Sequence, residues 1–202
     1  MLEILAHWFA AVCGQEPAHT WAPGGLLLPC CQRCLGLYVG AGVATLLHLG
    51  LRPMLTGRFL ELHGAFLLLM VPFGFHWVAQ GPVLRTVTGV LFGFGVVTFL
   101  WLPLAQRLGK RADKFEVRSP KPQGRPRSEV GNQVVYLLSL GATLILLPAA
   151  ARLGGASAVY LLAALACWGA LGVGVLVVGN VGLGVRGAIR LLRRSARPGF
   201  QP

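Results

Sequence analysis

Charge is scarce in this sequence. Asp, Glu, Lys and Arg make up 12% of the 202 residues, and only 6 residues are acidic. With 55% hydrophobic residues and a mean hydropathy of +0.68, the chain is too apolar for a soluble domain of this length. No Lys or Arg precedes Arg33, so the basic start of a secretory signal is missing, and no small-residue cleavage site follows the first apolar run. That run, residues 1–12, carries Glu3 and His7 and falls well short of the roughly 20 residues that span a hydrocarbon core. It is expected to lie as a short interfacial helix. A net charge of +12 would suggest nucleic acid in a soluble protein. In so apolar a chain it reports which side of a bilayer the cations occupy, and no nucleic-acid partner is expected.

What the sequence does contain is a succession of apolar runs bounded by charge or proline. They cover residues 34–51, 59–79, 83–108, 133–151 and 156–183. The expected fold class is all-α, an integral membrane helical bundle of about five transmembrane helices plus the short N-terminal interfacial helix. The chain then divides into an extracytoplasmic segment and cysteine loop (1–33), a three-helix core (34–108), a basic cytoplasmic loop (109–130), two further spans (131–184) and a basic cytoplasmic tail (185–202). Of the 18 basic residues, all but Arg33, Arg85 and Arg152 fall at one end of this arrangement. The positive-inside rule places that end in the cytoplasm and the N-terminus outside, in a cell inner (plasma) membrane.

The remaining features read mostly as packing. The lipid bilayer is the expected partner, with anionic headgroups against the basic loop; no protein partner is legible. The loop, with Pro120, Pro122 and Pro126, is expected to be disordered, and residues 185–194 to form a basic interfacial helix. Gly36 and Gly40, Gly89 and Gly93, and the glycines from Gly169 to Gly184 are expected to let helices approach closely. Cys167 reads as an inert core residue. His48, Glu61 and His63, toward the cytoplasmic ends of spans one and two, are expected to be partly solvated.

The outer end differs, because polar residues from separate stretches converge there. Cys31-Gln32-Arg33-Cys34 opens the first span, and three-residue spacing sets both thiols on one helix face. Cys13 and Gln15 arrive from the N-terminal loop. His76, Gln80 and Arg85 come from the turn between spans two and three, and His76 sits in an otherwise apolar segment where a titratable residue needs a partner. Three readings stay open. Cys13, Cys31, Cys34 and His76 suit a tetrahedral metal site, zinc first, with Gln15, Arg33, Gln80 and Arg85 around it. Without His76, water would fill the fourth place and Glu16 would stand near as a base. Alternatively, the Cys-x-x-Cys pair exchanges disulfides, with Cys13 or Cys30 as second partner and a quinone as acceptor. The third reading is a disulfide that staples the loop to the bundle.

At these positions the chain resembles the prokaryotic predicted-membrane-protein family known as domain of unknown function 2085. That family's pattern runs Cys-His-Gln, then Cys-x-Arg-Cys-x-Gly-x-Tyr-x-Gly, then Pro-x-x-x-Asp-Gly-x-x-Gln and Arg-x-x-Thr-Gly-x-x-x-Gly. The matching residues are Cys13-Gly14-Gln15, Cys31-Gln32-Arg33-Cys34-Leu35-Gly36-Leu37-Tyr38-Val39-Gly40, Pro72 to Gln80, and Arg85-Thr86-Val87-Thr88-Gly89 with Gly93. The resemblance spans about residues 10–100 and implies a site at these positions, without implying a reaction. Two departures fall on ligand-type residues: the family's His is Gly14 here, and its Asp aligns with His76.

Overall fold

The computed structural model describes residues 2–53, 55–75, 77–115 and 127–195. These form six helices: α1 (Leu2–Ala10), α2 (Gln32–Gly50), α3 (Gly57–Gly74), α4 (Pro82–Phe115), α5 (Arg127–Leu153) and α6 (Ala156–Ser195). No strand occurs among the described residues, and the all-α bundle expected from the apolar runs is what is found. Helices α2, α4, α5 and α6 each hold a stretch long and apolar enough to cross a membrane. Their outward faces carry large apolar side chains such as Leu146, Leu171, Val175 and Val178. A surface of that kind suits lipid, which offers no hydrogen bonds to polar groups.

Helix α3 runs back between two of them, on geometric grounds. Helices α2 and α4 run parallel, because Gly36 lies on Thr86, Gly40 on Val90 and His48 on Thr98 in the same order along both chains. Parallel neighbours need a return segment between them. α3 supplies it with 18 residues, about 27 Å of helix against a hydrocarbon core of about 30 Å. Its start is capped by Thr56, whose hydroxyl accepts from the Phe59 N–H at 3.3 Å. Arg58, Glu61 and His63 lower its mean apolarity, which is why length and composition alone separate it from the other four.

Glycine makes the parallel contact possible. A Cβ on Gly40 would stand 2.8 Å from the Val90 carbonyl oxygen, and one on Gly89 would strike the backbone of Arg33 and Leu37. Gly36-x-x-x-Gly40 and Gly89-x-x-x-Gly93 therefore face each other backbone to backbone. Gly42 and Gly169 repeat the device between α2 and α6, where a Cβ on Gly42 would lie 3.1 Å from the Gly169 Cα. The sequence expectation holds for Gly36, Gly40, Gly89, Gly93 and Gly169 and places α2 at the centre of the bundle, whereas a Cβ on Gly174, Gly182 or Gly184 would meet nothing within 4 Å.

The end of the bundle away from the cysteines corrects another expectation. His48 and His63 are fully buried rather than partly solvated, while Glu61 is exposed and apart from them. His63 Nε2 meets the Tyr136 hydroxyl at 3.0 Å, Tyr136 meets Thr98 Oγ1 at 3.3 Å, and Thr98 meets His48 Nε2 at 3.2 Å. The chain joins α3, α5, α4 and α2, and Trp101, Phe94 and Phe59 pack their rings around it. A Tyr in span four was the partner that periodicity could not identify. The basic loop's central residues 116–126 lie outside the described residues. The tail is helical through Ser195, as one continuation of α6 rather than a separate helix.

Candidate metal centre

The site is assembled by the loop that links α1 to α2. α1 ends where the Cys13 N–H donates to the Phe9 carbonyl at 2.8 Å. Gln15 then takes a left-handed backbone (φ 46°), and its amide Nε2 donates to the Ala6 carbonyl and, at 2.8 Å, to the Pro29 carbonyl. One side chain thus ties the end of α1 to the residues just before Cys30. Trp21 fixes the middle of the loop, its indole N–H donating to Thr86 Oγ1 at 2.9 Å. Gly24, at φ 58°, lies against the start of α6, where a Cβ would come within 2.5 Å of the Ala156 nitrogen. A loop pinned at three points can hold Cys13 in place without regular structure.

Cys31 is the N-cap of α2, with extended backbone angles, and Cys34 lies in the first turn. The Cys31 N–H, free of any helical partner at this position, donates to the Cys13 sulfur at 3.3 Å. The Sγ atoms of Cys13, Cys31 and Cys34 all lie within 4.8 Å of one another. Cys13 is buried, and the other two are half-buried. Hydrogen bonds from Cys31 and then Cys34 hold the Cys13 thiol well below the usual thiol range, against the opposing effect of burial. Cys31 is pushed up in turn, chiefly because its proton is engaged by Cys13. Cys30 stands apart from this group: it is buried, and burial raises its thiol. All five cysteines are free thiols.

The other expected polar residues divide by role. Gln15, Arg33 and Arg85 line the cavity that opens over the sulfurs, together with Gly14, Glu16 and His19. The cavity has a volume of about 320 Å³. Gln80 does not line it. Its Nε2 donates to the Phe73 carbonyl at 2.6 Å, and its Oε1 accepts from Arg33 Nη2 at 2.8 Å. Arg33 Nη2 also donates to the Phe73 carbonyl, at 2.9 Å, so Arg33 and Gln80 together cap the C-terminal end of α3. His76 lies outside the described residues. His19 is the cavity residue that the sequence reading missed; it pairs with Glu16 at 2.8 Å on the turn Pro17–His19. Nothing in its local sequence marks it, because a histidine in a proline-rich loop carries no periodic signal.

Residues 13–99 match the family model for a predicted membrane protein, DUF2085. The match begins at the first sulfur of the cluster and ends inside α4, so it takes in all three cysteines, both arginines and the parallel α2–α4 contact. Helices α5 and α6 lie beyond the DUF2085 segment. No curated protein and no solved structure matches the chain.

Proposed function

We propose that this membrane protein binds a zinc ion through Cys13, Cys31 and Cys34 at the extracytoplasmic face. The supporting observation is the convergence of three sulfurs, from two distant stretches, on one point. Tetrahedral zinc at about 2.3 Å from each sulfur would bring them to about 3.8 Å apart, a small contraction of the observed group. A disulfide would use two of the sulfurs and leave the third without a reason to be there. Three thiolates leave a fourth position facing the cavity, for His76, for water or for a ligand. In this reading Gln15 positions Cys13, and Arg33 with Gln80 fixes the end of α3 beside the site.

The test is metal and free-thiol content measured on one detergent-purified, anaerobic sample. About one zinc per chain, with three thiols that become reactive only after chelation, is the expected result. Metal-free protein whose N-terminal loop loses protease protection in reductant, and is indifferent to chelator, would establish a disulfide instead. Thiol–disulfide exchange is the second reading, favoured by the thiolate character of Cys13 beside two thiols. It requires mixed disulfides to be trapped by Cys31→Ser or Cys34→Ser.

The proposed orientation puts this face outside and the basic ends of α4, α5 and α6 in the cytoplasm of an inner-membrane protein, near anionic headgroups. A cysteine introduced at exposed Arg58, at the opposite end of the bundle from the sulfurs, should resist an impermeant thiol reagent on intact cells. Labelling there would reverse the orientation.

A further inference from the structure

The two arginines of the cavity are not spent on the sulfurs. Arg33 and Arg85 come from the first turns of α2 and α4, and both are half-buried. Each has its Nε–H shut from solvent, with no acceptor among the described residues, whether sulfur, carbonyl or carboxylate. Arg33 uses Nη2 to cap α3, which leaves Nε without a structural duty. Arg85 makes no side-chain hydrogen bond to another described residue at all. Buried guanidinium donors are costly to leave unmade, and both side chains reach the lining of one cavity, where an anion could be met by their guanidinium groups.

Charge indicates its sign. A zinc ion held by three thiolates carries a net charge of −1, and Arg33 with Arg85 adds +2. Glu16, the one carboxylate on the lining, does not offset this at depth. Its side chain is 64% exposed, and it is paired with His19 at the rim. The inner cavity therefore keeps a single positive charge, which one anionic ligand would neutralise.

We propose that the cavity binds a phosphate-type oxyanion between the metal's open position, Arg33 and Arg85. The inference rests on the zinc reading for one of its three contacts. Phosphate is favoured over carboxylate because three separate binding directions suit a group with several oxygens around one centre, whereas a carboxylate offers two in a plane. A volume of about 320 Å³ admits a small head group rather than an extended substrate. The source is either free phosphate or the phosphodiester of a lipid headgroup at the membrane surface.

Equilibrium dialysis of zinc-loaded, detergent-solubilised protein with radiolabelled inorganic phosphate tests this, with zinc per chain measured on the same samples. Saturable one-site binding is expected, weakened at least tenfold in Arg85→Gln and partly kept in Arg85→Lys, with zinc content equal in all three. Short-chain dihexanoyl phosphatidylglycerol is the competitor. Displacement of phosphate assigns the subsite to a lipid headgroup, and failure to displace assigns it to free phosphate. Zinc-replete wild-type protein that binds neither probe, or an Arg85→Gln variant that binds phosphate as wild type does, overturns the proposal. Zinc-free protein that binds phosphate through Arg85 as tightly as zinc-loaded protein would overturn the metal contact of this proposal, while the zinc reading itself stands or falls on the metal content measured on the same samples.

Discussion

At the start of α2, Cys31 and Cys34 meet Cys13 beside an open cavity, whereas sixteen residues on from Gln32, near the other end of the same helix, His48 is sealed between Thr98, Trp101 and Tyr136. Both clusters gather groups from distant parts of the chain that are expensive to bury. They differ in what completes them. The histidine cluster is sealed: His63, Tyr136, Thr98 and the Nε2 atom of His48 bond to one another, His63 Nδ1 finds the Phe59 carbonyl at 2.8 Å, and His48 Nδ1 is left without a partner among the described residues. The sulfur cluster is assembled by an irregular loop and opens to a cavity lined by Arg33 and Arg85, whose buried Nε–H groups have no acceptor among the described residues. Each leaves a buried nitrogen unmet, so the difference lies in access: a sealed network specifies how helices pack, while one that opens to a cavity between two guanidinium groups has room to receive something.

Both clusters depend on the α2–α4 contact, and breaking that contact should have the largest effect. Gly89→Leu forces a side chain into the Arg33 carbonyl and should cost at least about 3 kcal/mol, with loss of a monodisperse peak in detergent. Gly141→Leu on α5, where a Cβ meets nothing within 4 Å, should leave the peak unchanged.

Next in size is the response of the sulfur cluster. If one ion is held by three sulfurs, Cys13→Ser should weaken zinc retention by more than the roughly 10–100-fold that outer-shell changes cost. Adding Cys34→Ser should then change little, because the first substitution has already emptied the shell. Proteolysis between residues 11 and 31 should rise equally in the single and double variants. Additive losses would separate the sulfurs into independent sites.

The histidine cluster should respond in stability alone. Tyr136→Phe removes the hydroxyl that bridges His63 and Thr98 and leaves a fully buried imidazole nitrogen unpaired. Measured side-chain hydrogen bonds between membrane helices suggest about 0.6–2 kcal/mol, read as a lower thermal midpoint. Zinc content should not move. A variant that lost zinc would show that the two ends are coupled through α2.

The smallest expected change is a gain. Gly14 lines the cavity, and a Cβ placed there has open space within 4 Å. The DUF2085 pattern has His at this position, so Gly14→His should add a donor to the open side and slow zinc loss to a chelator a few-fold. Unchanged release kinetics would mean that position 14 does not reach the ion.

The sequence carried much of this arrangement, in a way that follows from its physics. Apolar runs of membrane length announced the helices, and the paired glycines announced the closest crossings, because both signals are local and periodic. The approach of Cys13 to Cys31 and Cys34 was also legible, since three thiols flanking one membrane entrance have few places to go. The contacts that depend on three-dimensional register were not. Tyr136 as the hub of the histidines, Trp21 as the pin on Thr86, and His19 on the cavity rim arise where a loop or a fourth helix happens to pass. Arg33 reads from the sequence as a site residue, and in the structure its guanidinium donates to the α3 terminus.

The most direct test of the central claim is zinc per chain across the five Cys→Ser variants, purified identically and quantified by mass spectrometry. The account predicts about one zinc per chain in wild type, Cys30→Ser and Cys167→Ser, and almost none in Cys13→Ser, Cys31→Ser or Cys34→Ser. Zinc that survives Cys13→Ser, or that disappears with Cys30→Ser, would contradict it.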